Sequence, residues 1–179
     1  IAGGVEHLAF VCEERDKIDT LRRLIRLMKP RAALVFVTDI DRIAEVAAKL
    51  QYVGLSAEAL YGDAPKQERA TLLGRFRSGR VGTLVATDVA ARGLDIEGLT
   101  HVFHLEPALD AGHYVHRAGR TGRMGQSGWS VSIVTEREMF IIRKFEKQLG
   151  ITIRRKAMYK GEIVDPHQVP AAGRIRQAA

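Results

Sequence analysis

Residues 33–50 read ALVFVTDIDRIAEVAAKL, and this stretch sets the rhythm of the whole chain. Ala33 to Val37 are five consecutive apolar residues, too few for a helix and apolar at every position, as expected of a strand buried on both faces. From Ile40 onward the period changes. Ile40, Ile43, Ala44, Ala47 and Leu50 recur at intervals of three and four, so a helix here has one apolar face.

Outward from this stretch the alternation repeats. Short apolar runs predict strands at VEHLAFV (5–11), SAEALY (56–61), GTLVAT (82–87), HVFHL (101–105) and WSVSIV (129–134). Ile18, Leu21, Leu24, Ile25 and Met28 form a second helical stripe. A third helix is expected with Pro65 in its first turn, Asp63 as its cap and Gly79 just past its end. A fourth opens on the capping-box spacing of Thr135 and Glu138, runs through Phe140, Ile141 and Phe145 to Leu149, and stops at Gly150. Strand and helix in this order imply right-handed crossovers and a mainly parallel α/β sheet covered on both faces. Ligands of such sheets gather at the loops leaving the carboxyl ends of the strands. Past Gly150, ITIRRKAMY (151–159) is compatible with one more strand, while VDPHQVPAAGRIRQAA (164–179) reads as extended or frayed.

Bulk composition narrows the function classes. A chain of 179 residues with 46% hydrophobic content suits one well-packed domain. It has no run of about 18 uncharged apolar residues, so no membrane span is expected, and IAGGVEHLAF has neither the basic start nor the apolar core of a signal peptide. Cys12, the single cysteine, lies in an apolar stretch and reads as a small buried side chain. An intracellular, reducing compartment is the expectation. The net charge is +7, with 20 Arg against 8 Lys, a bias that suits phosphate oxygens. Residues 151–179 carry six basic side chains (Arg154, Arg155, Lys156, Lys160, Arg174 and Arg176) against two acids. A nucleic-acid site in the body must therefore come from placed residues and not from bulk charge. Neither a G-x-x-x-x-G-K-[ST] phosphate loop nor a G-x-G-x-x-G turn nor a G-x-S-x-G elbow occurs. His101 with His104 and His113 with His116 have no cysteine or carboxylate to complete a zinc set, so no metal site is expected.

Three loops carry the chemical signal. His116-Arg117-Ala118-Gly119-Arg120-Thr121-Gly122-Arg123 spaces three arginines three apart, which would line one side of a helical turn and call for an anion, with glycines that allow close backbone approach. The plainer alternative is a basic surface loop. Ala86-Thr87-Asp88-Val89-Ala90-Ala91-Arg92-Gly93-Leu94-Asp95-Ile96 follows directly on an apolar strand and so lies on a ligand-side loop. Its plainer alternative is a capped connection in which Asp88 only satisfies backbone donors. Tyr61-Gly62-Asp63-Ala64-Pro65-Lys66-Gln67-Glu68-Arg69 places a glycine before a helix start, with Arg69 able to add a guanidinium fork toward the same anion, or simply to stand exposed.

Together and in this order, these segments resemble the motifs of the C-terminal RecA-like domain of DEAD-box RNA helicases, over roughly residues 5–150. HRAGRTGR resembles that family's motif VI and ATDVAARGLDI its motif V, while LVFVTD (34–39) and GDAPKQER (62–69) are similar to motif IV and the Q-x-x-R element. The resemblance implies a RecA-like three-layer α/β/α domain over residues 1–150, followed by a basic, partly irregular extension over 151–179. It implies one half of an ATP-dependent RNA helicase core, in which ATP and Mg2+ are held by an N-terminal RecA-like domain with the phosphate loop, so that this chain alone is expected to be inactive as an ATPase. By the same resemblance Arg120 and Arg123 are arginine fingers for the γ-phosphate, Gly93 and Asp95 face the nucleotide ribose, and Arg92, His116 and Arg117 couple to the partner domain. Gly62, Gln67, Arg69 and Thr87 would hold the RNA sugar-phosphate backbone, insensitive to base sequence. Two positions depart from the family pattern: Asp39 stands where Thr is usual, placing a negative charge near the RNA path, and Met124 stands where an aromatic often packs near adenine. A DNA-acting superfamily 2 motor would share the fold but usually carries a Q-x-x-G-R-x-x-R motif VI, against which HRAGRTGR argues. A stand-alone, non-catalytic RNA-binding module is the remaining alternative.

Overall fold

A computed structural model of the chain describes residues 3–94, 96 and 98–170, with Met124 described by its backbone only. Among the described residues eight strands form one sheet: β1 (Val5–Val11), β2 (Ala33–Phe36), β3 (Ala57–Ala59), β4 (Thr83–Ala86), β5 (His101–His104), β6 (Gly128–Val134), β7 (Ile153–Tyr159) and β8 (Glu162–Val164). Their order is β3-β4-β2-β5-β6-β1-β7-β8, parallel throughout except for the antiparallel pairing of β8 on β7.

The period-2 pattern of the strands decides which helix lies where. Val35 and Val37 of the β2 segment, with Leu8, Phe10, Val131 and Ile133, face α1 (Lys17–Met28) and α2 (Ile40–Tyr52), whose Leu21, Leu24, Ile43, Val46 and Leu50 close that layer. Leu34 and Phe36 point the other way, onto Phe76 of α3 (Lys66–Arg77) and Ala90 and Ala91 of α4 (Asp88–Ala91). Further along the same face, Ala9, Val11 and Val134 meet Tyr114 and Ala118 of α5 (Ala111–Ala118) and Ile142 and Phe145 of α6 (Met139–Leu149). The result is a three-layer α/β/α domain of RecA-like architecture with a mainly parallel sheet. Cys12 is buried in the first of these layers, as its apolar neighbourhood predicted.

Local signals were read correctly where they are self-contained. Thr135 and Glu138 exchange their hydrogen bonds, Thr135 N donating to Glu138 Oε1 at 2.8 Å and Glu138 N to Thr135 Oγ1 at 3.2 Å, in the turn that leads into α6, which itself starts at Met139, and Gly150 ends α6 at φ +64°. Asp63 is not the cap of α3: the helix starts at Lys66 with Pro65 at the cap position, whose side chain offers no acceptor, and Asp63 lies in the turn before it. The stretch from Val164 is not frayed through residue 169. Asp165 and Gln168 form a capping box around a 3-10 turn at Pro166–Gln168, and Val169 is only 1% exposed. Arg174 and Arg176 lie outside the described residues. β7 continues the sheet beyond Gly150 by pairing with β1 from His7–Ile153 to Phe10–Lys156.

Candidate functional site

Because β3, β4, β2 and β5 are adjacent and parallel, the loops leaving their carboxyl ends open on one edge of the sheet. Two clefts lie there. The larger, about 930 Å3, is lined by Thr38, Asp39, Gly62, Arg69 and Thr87 among others; the smaller, about 380 Å3, by Asp88, Asp110, His113, His116, Arg117 and Arg120. Arg92, exposed just past α4, lines both.

The larger cleft gathers three of the four residues expected on an RNA backbone. Gly62 passes over α4, where a Cβ would stand 3.4 Å from Ala90 Cα, in van der Waals contact with the helix. Thr87 caps α4 by accepting from Ala90 N at 3.2 Å, which leaves its hydroxyl hydrogen available to donate outward. Arg69 brings in its guanidinium, and its buried Nε has no hydrogen-bond partner within the protein. Gln67 does not line this cleft: it is exposed and lines a neighbouring depression between α3 and β3, whose wall Arg69 shares.

Asp39 stands on the wall of the same cleft, and its fold role is plain. Its side chain caps α2 by accepting from Asp41 N at 3.0 Å. The neighbouring Thr38 is held by Glu106, with Thr38 Oγ1 donating to Glu106 Oε2 at 2.8 Å. Thr also caps helices, so Asp39→Thr removes the charge at small cost to α2. RNA binding is expected to tighten about twofold to fivefold at low salt and to converge on the unsubstituted value as salt screens the repulsion. A titration of affinity against ionic strength checks this; curves that coincide at low salt would mean that the carboxylate is remote from the strand.

The three arginines of HRAGRTGR do not share one side of a helix, because α5 ends at Ala118. Arg117 turns inward, with its side chain fully buried. Its Nε and Nη2 donate to the two carboxylate oxygens of Asp88 at 2.8 and 2.9 Å, Nη1 donates to the Glu106 carbonyl at 2.8 Å, and the guanidinium lies 5.0 Å over the Phe36 ring. The expectation from the resemblance is that Arg117 couples to the partner domain; here its guanidinium is taken up by partners within the chain. It clamps motif V to motif VI within this chain. Arg120 lines the smaller cleft and donates through Nη1 to the Leu94 carbonyl, while Arg123 is exposed in the 3-10 turn Arg123–Gly125. His116 and Arg92 are both exposed on this cleft, and Gly93 is exposed beside it at φ +76°. Asp95 lies outside the described residues, as does the side chain of Met124. The glycine Gly122 serves the fold and not an anion: at φ +66° it sits where any Cβ would collide with Val5 Cγ2.

Asp88 therefore does more than satisfy backbone donors, since Thr87 is the cap and Asp88 is the counterion of Arg117. Behind that pair runs a buried chain that sequence reading missed. His104 Nδ1 lies 3.5 Å from Arg117 Nη1, its Nε2 is 2.8 Å from Ser130 Oγ, Ser130 Oγ donates to Tyr114 Oη at 3.1 Å, and Tyr114 Oη is 2.7 Å from His7 Nδ1. Since Arg117 only donates, His104 accepts at Nδ1 and donates from Nε2, and every link then points the same way, ending with Tyr114 donating to His7. Burial, reinforced by the Arg117 charge, holds His104 well below the usual imidazole range and thus neutral, and burial also pushes the Tyr114 hydroxyl up. The signal was partly present: WSVSIV places Ser130 and Ser132 at alternate positions, a polar stripe on an otherwise apolar strand, and His104 pairs with Ser132 across from it.

Both described carboxylates of the smaller cleft are committed. Asp88 is taken by Arg117, and Asp110 caps α5 and accepts from both His113 N and His113 Nδ1 at 2.8 Å, bonds that hold its carboxyl below the usual range. Among the described residues no three His, Cys, Asp or Glu side chains gather to hold a metal ion.

Known proteins resemble this chain in sequence and fold. Residues 16–125 match the family described as helicase conserved C-terminal domain. The DEAD-box ATP-dependent RNA helicase CshC of Bacillus cereus is 44% identical over 161 residues, which cover 90% of this chain and 41% of CshC. The chain thus spans about two-fifths of the length of such relatives. The C-terminal domain of the DEAD-box protein Dbp5 superposes with a TM-score of 0.78 at 33% identity, covering 86% of this chain and 91% of that domain. Dbp5 of S. cerevisiae bound to RNA and ADP BeF3 superposes with a TM-score of 0.79 at 33% identity, covering 86% of this chain and 42% of Dbp5. With HRAGRTGR and ATDVAARGLDI meeting at the carboxyl edge of a RecA-like sheet, this chain belongs to the helicase conserved C-terminal domain family, as the C-terminal RecA-like domain of the DEAD-box kind.

Proposed function

We propose that this chain is the C-terminal half of an ATP-dependent RNA helicase core. In this reading the larger cleft holds the backbone of one RNA strand through Gly62, Arg69 and Thr87. The smaller cleft closes over ATP carried by an N-terminal RecA-like domain, with Arg120 and Arg123 directed to the γ-phosphate and Gly93 and Asp95 toward the ribose. The observation that carries the reading is the pair of donor-rich clefts side by side on one sheet edge with Arg92 in the wall of both. A shared wall lets closure over nucleotide change how the strand is held, which is the coupling a remodelling motor requires.

Nucleotide chemistry fits the smaller cleft in part. Arg120, Arg92 and His116 offer positive or donor groups where negative charge would develop, but the chain has no phosphate loop to bind a triphosphate alone. ATP, once bound between the domains, supplies the free energy of the cycle. The commitment of Asp88 and Asp110 to internal partners supports assigning Mg2+ to carboxylates of the partner domain.

The test is binding of labelled single-stranded RNA by this chain, followed by fluorescence anisotropy. Arg69→Ala removes one charge-assisted phosphate contact and should weaken binding by about 1–3 kcal/mol, equally for unrelated RNA sequences. It should also reduce the slope of log K against log salt by about 1. Unchanged affinity and slope would remove RNA from this cleft.

A further inference from the structure

Five large apolar side chains stand exposed among the described residues: Ile40, Tyr52, Val89, Leu109 and Phe140. Two of them, Val89 at 71% and Ile40 at 53%, open onto the same larger cleft. Each occupies the first turn of a helix just past its capping residue, Ile40 directly after Asp39 and Val89 two residues after Thr87. The fold asks for neither. Both stand outside the three core clusters, and a β-branched residue is a weaker helix former than Ala at an exposed helical position.

We propose that Val89 and Ile40 are contact residues for the bound strand, packing on the C–H faces of its sugars; this rests on the RNA reading above. A nucleic-acid backbone alternates charged phosphates with less polar sugar faces, so a groove of cations and hydroxyls alone would complement only half of it. This cleft supplies both kinds of surface: the guanidinium groups of Arg69 and Arg92 and the Thr87 hydroxyl for phosphate, and Val89 and Ile40 for sugar. Thr87, the cap of α4, and Val89, in its first turn, line the same cleft, so a strand whose phosphate meets the Thr87 hydroxyl passes Val89. The sugar is favoured over the base because base faces are held by aromatic side chains, and none lines this cleft among the described residues. Such contacts are sequence-tolerant, as phosphate contacts are, but they release no counterions. Their loss lowers affinity at every salt concentration alike.

That difference is the test. Val89→Ser and Ile40→Ser are measured on U-tract and A-tract RNA across a salt series, with Arg69→Ala alongside and thermal melts to confirm folding. Each Ser variant is expected to weaken binding about threefold to tenfold, equally on both tracts, with the salt slope unchanged. Val89→Ala, which favours the helix, should move in the same direction by less. Should both Ser variants bind normally while Arg69→Ala binds weakly, the sugar contact is wrong and the RNA reading stands. Should all three bind normally, both fall together. A loss confined to A-tracts would make these residues base contacts and overturn the assignment to sugar.

Discussion

Arg120→Ala, in a protein that joins this chain to an ATP-binding RecA-like domain, is expected to lower kcat about 10³-fold or more while ATP affinity falls far less. An arginine finger acts on charge that develops as the γ-phosphoryl group departs, so its loss is felt in the transition state and only weakly in the ground state. Geometry separates Arg120 from Arg117: Arg117 is enclosed by Asp88, the Glu106 carbonyl and Phe36, whereas Arg120 lines the cleft with Nη1 on the Leu94 carbonyl. RNA affinity without nucleotide should survive, because Arg120 does not line the larger cleft. Single-turnover hydrolysis with parallel nucleotide and RNA titrations separates these effects. A kcat within about threefold of the unsubstituted protein, or a defect that lies wholly in RNA affinity, would remove Arg120 from the role.

Arg117→Ala is expected to act through stability instead. It strips the counterion from Asp88, whose side chain is only 23% exposed, and empties a volume that the fully buried guanidinium filled. Breaking one side of a buried, hydrogen-bonded ion pair costs about 3–5 kcal/mol, and in a domain of this size that corresponds to a fall in Tm of about 6–20 °C. Arg117→Met restores much of the volume without the charge, so it should recover only part of the loss. Urea denaturation and thermal melts of the three proteins measure the difference. If Arg117→Ala melts within about 2 °C of the unsubstituted chain, the clamp between Asp88 and Arg117 contributes little and the arginine has to be assigned a partner beyond this chain.

The two predictions differ because two arginines three residues apart in one motif do different work. Arg117 lies in the last turn of α5 and faces the sheet, and Arg120 follows the end of that helix and faces the cleft. Spacing alone assigned both to an anion, and the family resemblance gave Arg117 to the partner domain. It could not register that α5 ends at Ala118, nor that His104 and Ser130, arriving from strands β5 and β6, complete a polar layer beneath Arg117.

What the amino-acid sequence determined by itself is whatever local periodicity and short-range bonding control. Apolar runs and 3.6-residue stripes place six strands and four helices, since burial of alternate or helical faces is written in neighbouring residues. The Thr135–Glu138 box and the Gly150 stop are bonds between residues close in the chain, and the motif order marks the ligand-side loops. Tertiary structure alone decided the rest, because it depends on which distant groups share a volume. It made Asp88 a counterion and not a cap, buried Arg117, gave Asp39 to the start of α2, placed Gln67 in a depression beside the larger cleft while Arg69 lines both, and folded Asp165 to Val169 back onto the body. In each case an unpaired polar group or an uncovered apolar one would be costly, and the partner that relieves the cost comes from an element that one-dimensional spacing does not bring near.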